Sequence, residues 1–201
     1  MKELVITGNE ENFKTTIANA LLGWDILPQS SDDIYIPTRE NASSMLTDDI
    51  RLTDTPGYDY FWNTIPEETA QAVSMADTLV VMLSELWEAD DLSILTADLD
   101  WKQDRAAEEA LLRKLLSHGK TRDIFFVIPY DTRETQADAL CLRNAHKLAI
   151  KRFASMSDRG ESGFFCVDPR QALIATIEDD HTALEQSGIL PLKTALMGKE
   201  K

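Results

Sequence analysis

The sequence predicts one α/β domain over residues 1–201, built on a mostly parallel β-sheet that helices cover on both faces. Short apolar runs rich in β-branched and aromatic residues alternate with longer stretches of helical periodicity, which is typical of parallel strands joined by helices. The composition is 43% hydrophobic and 27% charged, which excludes a disordered or low-complexity chain. No repeat or linker divides the chain, and its length suits a single domain of roughly 100–200 residues.

The first half of the chain predicts strands and helices in alternation. Apolar β-branched runs bounded by turn residues indicate the strands, and apolar residues at helical spacing indicate the helices. The stretch 26–47 is polar and favours no element except an extended segment at 34–36. The elements are a strand at 4–6, a helix at 15–22 ended by Gly23, a strand at 49–53, and a helix from Pro66 to about Met75.

The second half continues the same alternation. An acidic segment at 84–104 interrupts it and carries Trp87 and Trp101. The most apolar runs are expected to form the inner strands of the sheet, at 3–7, 78–83, 123–128 and 163–167. The elements are a strand at 78–83, a helix at 105–117, a strand at 124–128, a helix at 135–156, a strand at 164–167 and a mostly helical end at 171–197.

The charge of the chain is strongly negative, with 20 basic against 35 acidic residues and a formal charge of −15. This disfavours nucleic acid as a partner, because binding to a phosphate backbone depends on Lys and Arg. No apolar run approaches the ~20 residues that span a bilayer, and the N-terminus lacks the apolar core of a signal peptide. With only two cysteines, Cys141 and Cys166, a reduced compartment is expected. The sequence therefore predicts a cytoplasmic protein without membrane insertion.

Two motifs follow predicted strands. After the first strand, Gly8 and Lys14-Thr15 stand at the spacing of a phosphate-binding loop, G-x-x-x-x-G-K-[ST], with Phe13 in place of the second glycine. After the strand at 49–53 comes Asp54-Thr55-Pro56-Gly57. Because ligands of parallel sheets bind at the carboxyl ends of the strands, both motifs are expected at one edge of the sheet. The candidate nucleotide-binding residues of the loop are Gly8, Asn12, Phe13, Lys14, Thr15 and Thr16.

These motifs resemble those of the GTPase superfamily, in which D-T-P-G is a form of the D-x-x-G motif that senses Mg²⁺ and the γ-phosphate. The order of elements is similar to that of a small G domain, nearest to the Era-like and dynamin-like branches. The resemblance implies a three-layer α/β/α G domain with a mostly parallel six-stranded sheet, and GTP or GDP with Mg²⁺ as cofactors. It also implies that Lys14 contacts the phosphates and that the Gly57 N–H meets the γ-phosphate. The metal-binding residues that it implies are Thr15, Thr38 and Asp54.

The guanine-reading motifs of that family are only partly present. Where the family has N-K-x-D, this chain has Ile128-Pro129-Tyr130-Asp131, and the resemblance implies that Asp131 holds the ring nitrogen and amino group of guanine. Where the family has S-A-K, this chain has Asp168-Pro169-Arg170. Both departures weaken the expectation of selectivity for guanine over adenine.

The phosphate loop itself predicts weak or absent nucleotide binding. Phe13 is bulky at a position where the backbone must approach the phosphates, and Glu10 and Glu11 add two carboxylates beside a tri-anionic ligand. Each repulsion amounts to about 1 kcal/mol at 4 Å in water and about 4 kcal/mol at an effective dielectric constant near 20. The positive charge of Lys14 and the partial positive charge at the helix N-terminus act against this repulsion and favour an anion. On this balance we expect GTP–Mg²⁺ to bind weaker than roughly 100 μM.

We interpret the chain as a pseudo-GTPase, a regulatory or protein-interaction module that binds little or no nucleotide. The alternative is an active GTP-binding hydrolase with an atypical loop. A third, less favoured interpretation is a receiver-type phosphoacceptor domain, since acids follow the first strand and Asp54 follows the third. For the module we expect a protein partner with a basic surface. The acidic segment 84–104 is the candidate contact, because Trp87 and Trp101 are of a type enriched at interface hot spots.

Overall fold

The computed structural model describes residues 1–9, 13–23, 41–59, 63–83, 100–130 and 139–198, without the side chains of 100–105 and 139–141. Several sequence predictions lie outside these residues and are not tested by it. They are the roles of Glu10, Glu11, Asn12, Thr38 and Asp131, the extended stretch 34–36, and nearly all of the acidic segment 84–104.

Strands and helices alternate along the described chain, as the sequence predicts. The strands are β1 (Lys2–Gly8), β2 (Ala42–Met45), β3 (Ile50–Asp54), β4 (Thr78–Met82), β5 (Ile124–Pro129) and β6 (Phe164–Val167). The helices are α1 (Lys14–Leu22), α2 (Glu67–Met75), α3 (Asp100–Leu116), α4 (Ala139–Phe153), α5 (Pro169–Glu178), α6 (His181–Gln186) and α7 (Ile189–Met197).

The six strands form one sheet in the order β2-β3-β1-β4-β5-β6. All neighbouring pairs are parallel except β2 with β3, which is antiparallel. This confirms the mostly parallel six-stranded sheet. One prediction is wrong: the strand at 163–167 was expected inside the sheet, and β6 lies at its edge, whereas β3 is an inner strand. The error has a physical cause, because helices bury both faces of β6 and so its residues are as apolar as those of an inner strand.

Helices cover the sheet on both faces, which gives the three-layer α/β/α arrangement. On one face α1, α5 and α7 pack over alternate residues of the strands, around Ile6, Val80 and Val127. On the other face α2, α3 and α4 enclose a second core around Val81 and Phe126. Both cores contain residues of β1, β4 and β5. Helices therefore pack against both faces of these three strands and fix the position of their ends.

The ends of the helices follow local sequence signals. Gly23 ends α1 as predicted, with a left-handed backbone and an N–H that bonds to the Asn19 carbonyl at 3.0 Å. Pro66 precedes α2, whose first turn is acidic. The segment predicted as mostly helix at 171–197 divides into three helices, and Asp168 and Asp180 cap the first two. Within the described part of the chain, no helix has the length and apolarity needed to cross a membrane.

Candidate functional site at the carboxyl edge of the sheet

The two sequence motifs meet at the carboxyl ends of β1 and β3. These strands pair in parallel with Ile6 opposite Asp54. The pairing continues past both strands, because the Thr55 N–H donates to the Ile6 carbonyl at 3.2 Å and the Tyr58 N–H donates to the Gly8 carbonyl at 3.0 Å. Gly8 and Asp54 therefore lie at the same edge of the sheet, as expected for a common ligand site.

Gly8 is required by the packing of β1 against β4. A Cβ atom at this position would lie 2.7 Å from both the Cβ and the carbonyl oxygen of Met82, a separation that side chains do not reach without a shift of the backbone. The first glycine of the phosphate loop thus has a structural role beside any role in ligand binding. It allows β1 and β4 to lie close together at their carboxyl ends.

Lys14 places a cation between the end of β1 and the start of α1. It is the first residue of α1, is only 3% exposed, and its Nζ donates to the Asn9 carbonyl oxygen at 2.5 Å. The ammonium group therefore lies between the end of β1 and the start of α1, where the helix dipole also provides partial positive charge. This combination suits an anion at the start of α1.

Thr15 and Asp54 form the candidate metal site. The Thr15 hydroxyl donates to Asp54 Oδ2 at 2.6 Å, and Asp54 is fully buried. Hydroxyl and carboxylate oxygens are ligands that suit Mg²⁺, which usually takes one or two protein ligands and completes its shell with water and substrate phosphates. The residues present therefore fit Mg²⁺. Thr38, the third residue implied by the sequence, lies outside the described residues.

Hydrogen bonds to β1, α2 and α3 hold the turn after Asp54 in place. The Thr55 hydroxyl donates to the Ile6 carbonyl at 2.9 Å, and the Thr69 hydroxyl of α2 donates to the Pro56 carbonyl at 2.7 Å. Tyr58 is 0% exposed, and its hydroxyl donates to Glu108 Oε1 of α3 at 3.3 Å. Burial, followed by the charge and hydrogen bond of Glu108, raises the pKa of the Tyr58 hydroxyl well above its usual value. Gly57 is thereby held in place between β1, α2 and α3.

The carboxyl ends of β5 and β6 form the other wall of the site. Asp168 caps α5, with Oδ1 accepting from the Gln171 N–H at 2.9 Å. The guanidinium of Arg170, in the first turn of α5, lies over the ring of Phe13, with 5.5 Å from Cζ to the ring centroid. The Tyr130 hydroxyl donates to the Gln186 carbonyl at 3.1 Å. Burial, with smaller contributions from the charges of Asp168 and Cys166, raises the pKa of that hydroxyl.

The structure brings most of the predicted loop and metal residues to this one edge. Some of its supporting residues were missed by sequence reasoning. Thr69 carries no motif, and Glu108 is an acid on the buried face of α3, a position that is itself a signal of a polar partner in the core. The predicted residues at the edge are Gly8, Phe13, Lys14, Thr15, Thr16, Asp54 and Gly57, whereas Asn12, Thr38 and Asp131 lie outside the described residues.

Comparison with known proteins gives matches at the level of structure. No family model matches the sequence, and neither does any curated protein. Era in complex with Mg²⁺–GDPNP and a segment of 16S ribosomal RNA is 15% identical, with a TM-score of 0.53 over 92% of this chain and 56% of that chain. Era from Aquifex aeolicus bound to GDP and AlF4⁻ is 17% identical, with a TM-score of 0.56 over 92% and 57%.

A third similar structure is a bacterial selenocysteine-specific elongation factor, which is 13% identical with a TM-score of 0.57. It matches over 93% of this chain and 29% of its own. The chain thus spans little more than half the length of the Era chains and less than a third of the elongation factor. At these identities the likeness concerns the fold alone. The chain has the fold of a GTPase G domain.

Proposed function

We propose that the chain is a pseudo-GTPase, a G-domain-like regulatory or protein-interaction module that binds nucleotide weakly and hydrolyses it little or not at all. The observation that carries this proposal is the Lys14 ammonium, which is buried and bonded to the Asn9 carbonyl at 2.5 Å. One of the three N–H donors of the ammonium is thereby held by an internal acceptor and does not serve a phosphate. Glu10 and Glu11 stand in the same loop and oppose a triphosphate further.

Tyr58, the residue directly after Gly57, does not by its type separate the proposed module from an active hydrolase, since the Era-like and dynamin-like proteins that the motifs resemble also lack a glutamine there. Phosphate transfer in this class of fold depends on positioning and charge stabilisation, which includes orienting the attacking water. The residue directly after Gly57 here is a tyrosine whose side chain is buried and bonded to Glu108, so it does not reach out toward a reacting water.

Titration calorimetry with GTP and Mg²⁺ tests the proposal. We expect a dissociation constant above roughly 100 μM, which corresponds to a free energy near −5.5 kcal/mol. Replacing both loop acids, Glu10→Gln with Glu11→Gln, should tighten binding by roughly tenfold, because two repulsions are removed. The matched control is Glu67→Gln with Glu68→Gln, which makes the same charge change in the first turn of α2. A micromolar constant for the wild-type chain would overturn the proposal.

The second candidate is an active nucleotide hydrolase, and the contact between Thr15 and Asp54 favours it. The two side chains retain the oxygen donors for Mg²⁺, which would neutralise phosphate charge, and Gly57 is held at the same edge. Release of phosphate from GTP by the purified protein, abolished by Asp54→Asn, would select this candidate. The similar Era structures contain GDPNP with Mg²⁺ or GDP with AlF4⁻, which supports nucleotide and Mg²⁺ as the ligands to test.

A protein is the partner class that we propose. One similar Era structure contains ribosomal RNA, but the formal charge of −15 on this chain opposes binding to a phosphate backbone. The acidic segment 84–104 remains the proposed contact for a basic protein surface, and it falls mainly outside the described residues. A cytoplasmic location remains a prediction from composition.

A further inference from the structure

The exposed methionines of this chain are concentrated at one edge of the sheet. Two of the six methionines lie in the core, and the other four are exposed by 46–69%. Two further large apolar side chains of the described residues are similarly exposed, and both are on α5. The four exposed methionines instead lie at the amino ends of the parallel strands, which we call the amino edge, opposite the candidate site. These edge methionines are Met1, Met45, Met75 and Met197.

Different elements bring the edge methionines together. Met1 precedes β1, and its sulfur lies 3.6 Å from Nη2 of Arg51. Met45 is the last residue of β2 and pairs with the same arginine, near the start of β3. Met75 ends α2, three residues before β4. Met197 ends α7 and lines a groove of about 820 Å³ together with the first residues of β1, β3 and β4. The amino ends of the central strands are therefore bordered by apolar side chains that reach solvent.

Carboxylates outnumber cations along this groove. Its described lining has four carboxylates against two cations, Lys2 and Arg159. Arg159 is already paired with Asp123 in a salt bridge. Asp48 and Asp49 are exposed and form no salt bridge with any other described residue. The groove thus presents an excess of negative charge, which complements a basic partner.

We propose that the amino edge docks a basic amphipathic helix of a partner protein. Methionine side chains are unbranched and polarizable, so a group of them adapts to the apolar face of a helix, as at other helix-binding surfaces. The carboxylates select basic helices, and the same charge opposes nucleic acid and anionic membranes. This surface goes beyond the contact proposed for the segment 84–104, and it does not depend on the affinity for nucleotide.

Methyl NMR of the full chain, with ¹³C in the methionine methyl groups, tests the inference. The probe is a peptide of about 18 leucine and lysine residues with leucine at helical spacing. We expect it to shift the signals of the edge methionines, to leave those of Met82 and Met156 in place, and to bind with a dissociation constant below roughly 100 μM. A peptide of the same composition in scrambled order has no apolar helix face and should bind about tenfold more weakly.

Variants separate the apolar contribution from the charge. Met45→Gln and Met197→Gln should each weaken binding severalfold, whereas Ile174→Gln, which removes a side chain of the same exposure from α5, should not change it. Asp48→Asn with Asp49→Asn should weaken binding severalfold and reduce its dependence on salt. The same charge change in the first turn of α2, Glu67→Gln with Glu68→Gln, is the control and should have no such effect.

Four results would each overturn the inference. They are binding weaker than roughly 100 μM, equal binding of the scrambled peptide, equal effects of the edge and control variants, and absence of shifts at the edge methionines. Shifts that grow with protein concentration alone would assign the surface to a second copy of the chain and overturn it as well. The pseudo-GTPase proposal is judged separately, from the wild-type GTP constant.

Discussion

At Tyr58 the chain leaves the carboxyl edge of the sheet and enters the core. The aromatic ring packs in the core between the sheet and α2 and α3, while the hydroxyl meets Glu108 of α3. A buried carboxyl group is stable only with hydrogen-bond partners, so the tyrosine hydroxyl and Glu108 depend on each other. This pair fixes the position of the residue next to Gly57, and with it the turn that follows Asp54.

Replacing Tyr58 by phenylalanine should destabilise the protein without altering its fold. The variant keeps the ring but removes one donor from the buried Glu108, and the expected loss is about 1–3 kcal/mol of unfolding free energy. Urea denaturation at pH 7 measures it. Glu108→Gln is the companion variant, since an amide oxygen can still accept from the hydroxyl. Combining the two changes should cost less than the sum of the single losses, and full additivity would show that the two groups do not interact.

Single residues also show what could be predicted of the site. Lys14, Thr15 and Asp54 were identified because a motif fixes their spacing along the chain. Thr69 and Arg170 could not be identified in this way. Thr69 contacts Pro56 and Arg170 contacts Phe13, and each of these contacts depends on how helices pack on the sheet. Sequence spacing carries no information about that packing.

At the scale of elements, a charged cluster joins α3 to α4. Glu109 accepts from Arg113 one turn later at 2.8 Å and from Arg152 of α4 at 2.9 Å. Partial burial raises the pKa of the Glu109 carboxyl, but the hydrogen bonds and charges of the two arginines outweigh it, so the net pKa lies below its usual value. The two helices are thereby joined near the surface as well as through the core beneath.

The depressed pKa of Glu109 predicts a pH-dependent contribution to stability. A carboxyl whose folded pKa is lowered stabilises the fold above its unfolded pKa, about 4.3, and this contribution is lost as the pH falls through the folded value. Glu109→Gln should therefore lower the unfolding free energy by less than about 1 kcal/mol at pH 7, since the group is partly exposed. The difference from wild type should vanish in strong acid. Thermal melts from pH 7 to pH 3 test this, with the exposed Glu161→Gln as the control that should show no such convergence.

The types of elements were largely predictable, and the positions of the edge strands were not. Apolar runs identified β1, β4, β5 and β6, because burial on both faces selects β-branched and aromatic residues. The strand β2 (Ala42–Met45) was not predicted, because it is a short edge strand with few apolar residues, in which partly buried and exposed side chains alternate. The position of each strand within the sheet could not be predicted either, since helices cover both faces of β6 in the same way as those of an inner strand.

For the whole molecule, the sheet order determines where chemistry can occur. With β1 between β3 and β4, the start of α1 contacts Asp54 at the end of β3 through Thr15 and the start of α5 through Phe13. The motifs predicted that the edge would be shared, because parallel strands present their carboxyl ends together. The charge of −15 is a property of the chain as a whole, and the buried ammonium of Lys14 is an exception to it at the carboxyl edge of the sheet.

The continuation of strand pairing beyond β1 and β3 has a consequence for amide hydrogen exchange. The N–H groups of Thr55 and Tyr58 bond to Ile6 and Gly8 of the central strand, so they are protected from exchange for as long as the turn stays paired with that strand. We expect their amides to exchange about as slowly as those of β1 and β4, with opening energies near that of global unfolding. The amide of Thr47, in the turn before β3, should exchange much faster in the same mass-spectrometric or NMR measurement. Fast exchange at Tyr58 would mean that this turn opens independently of the sheet, as a switch does; slow exchange means that a partner meets a surface already in its final shape.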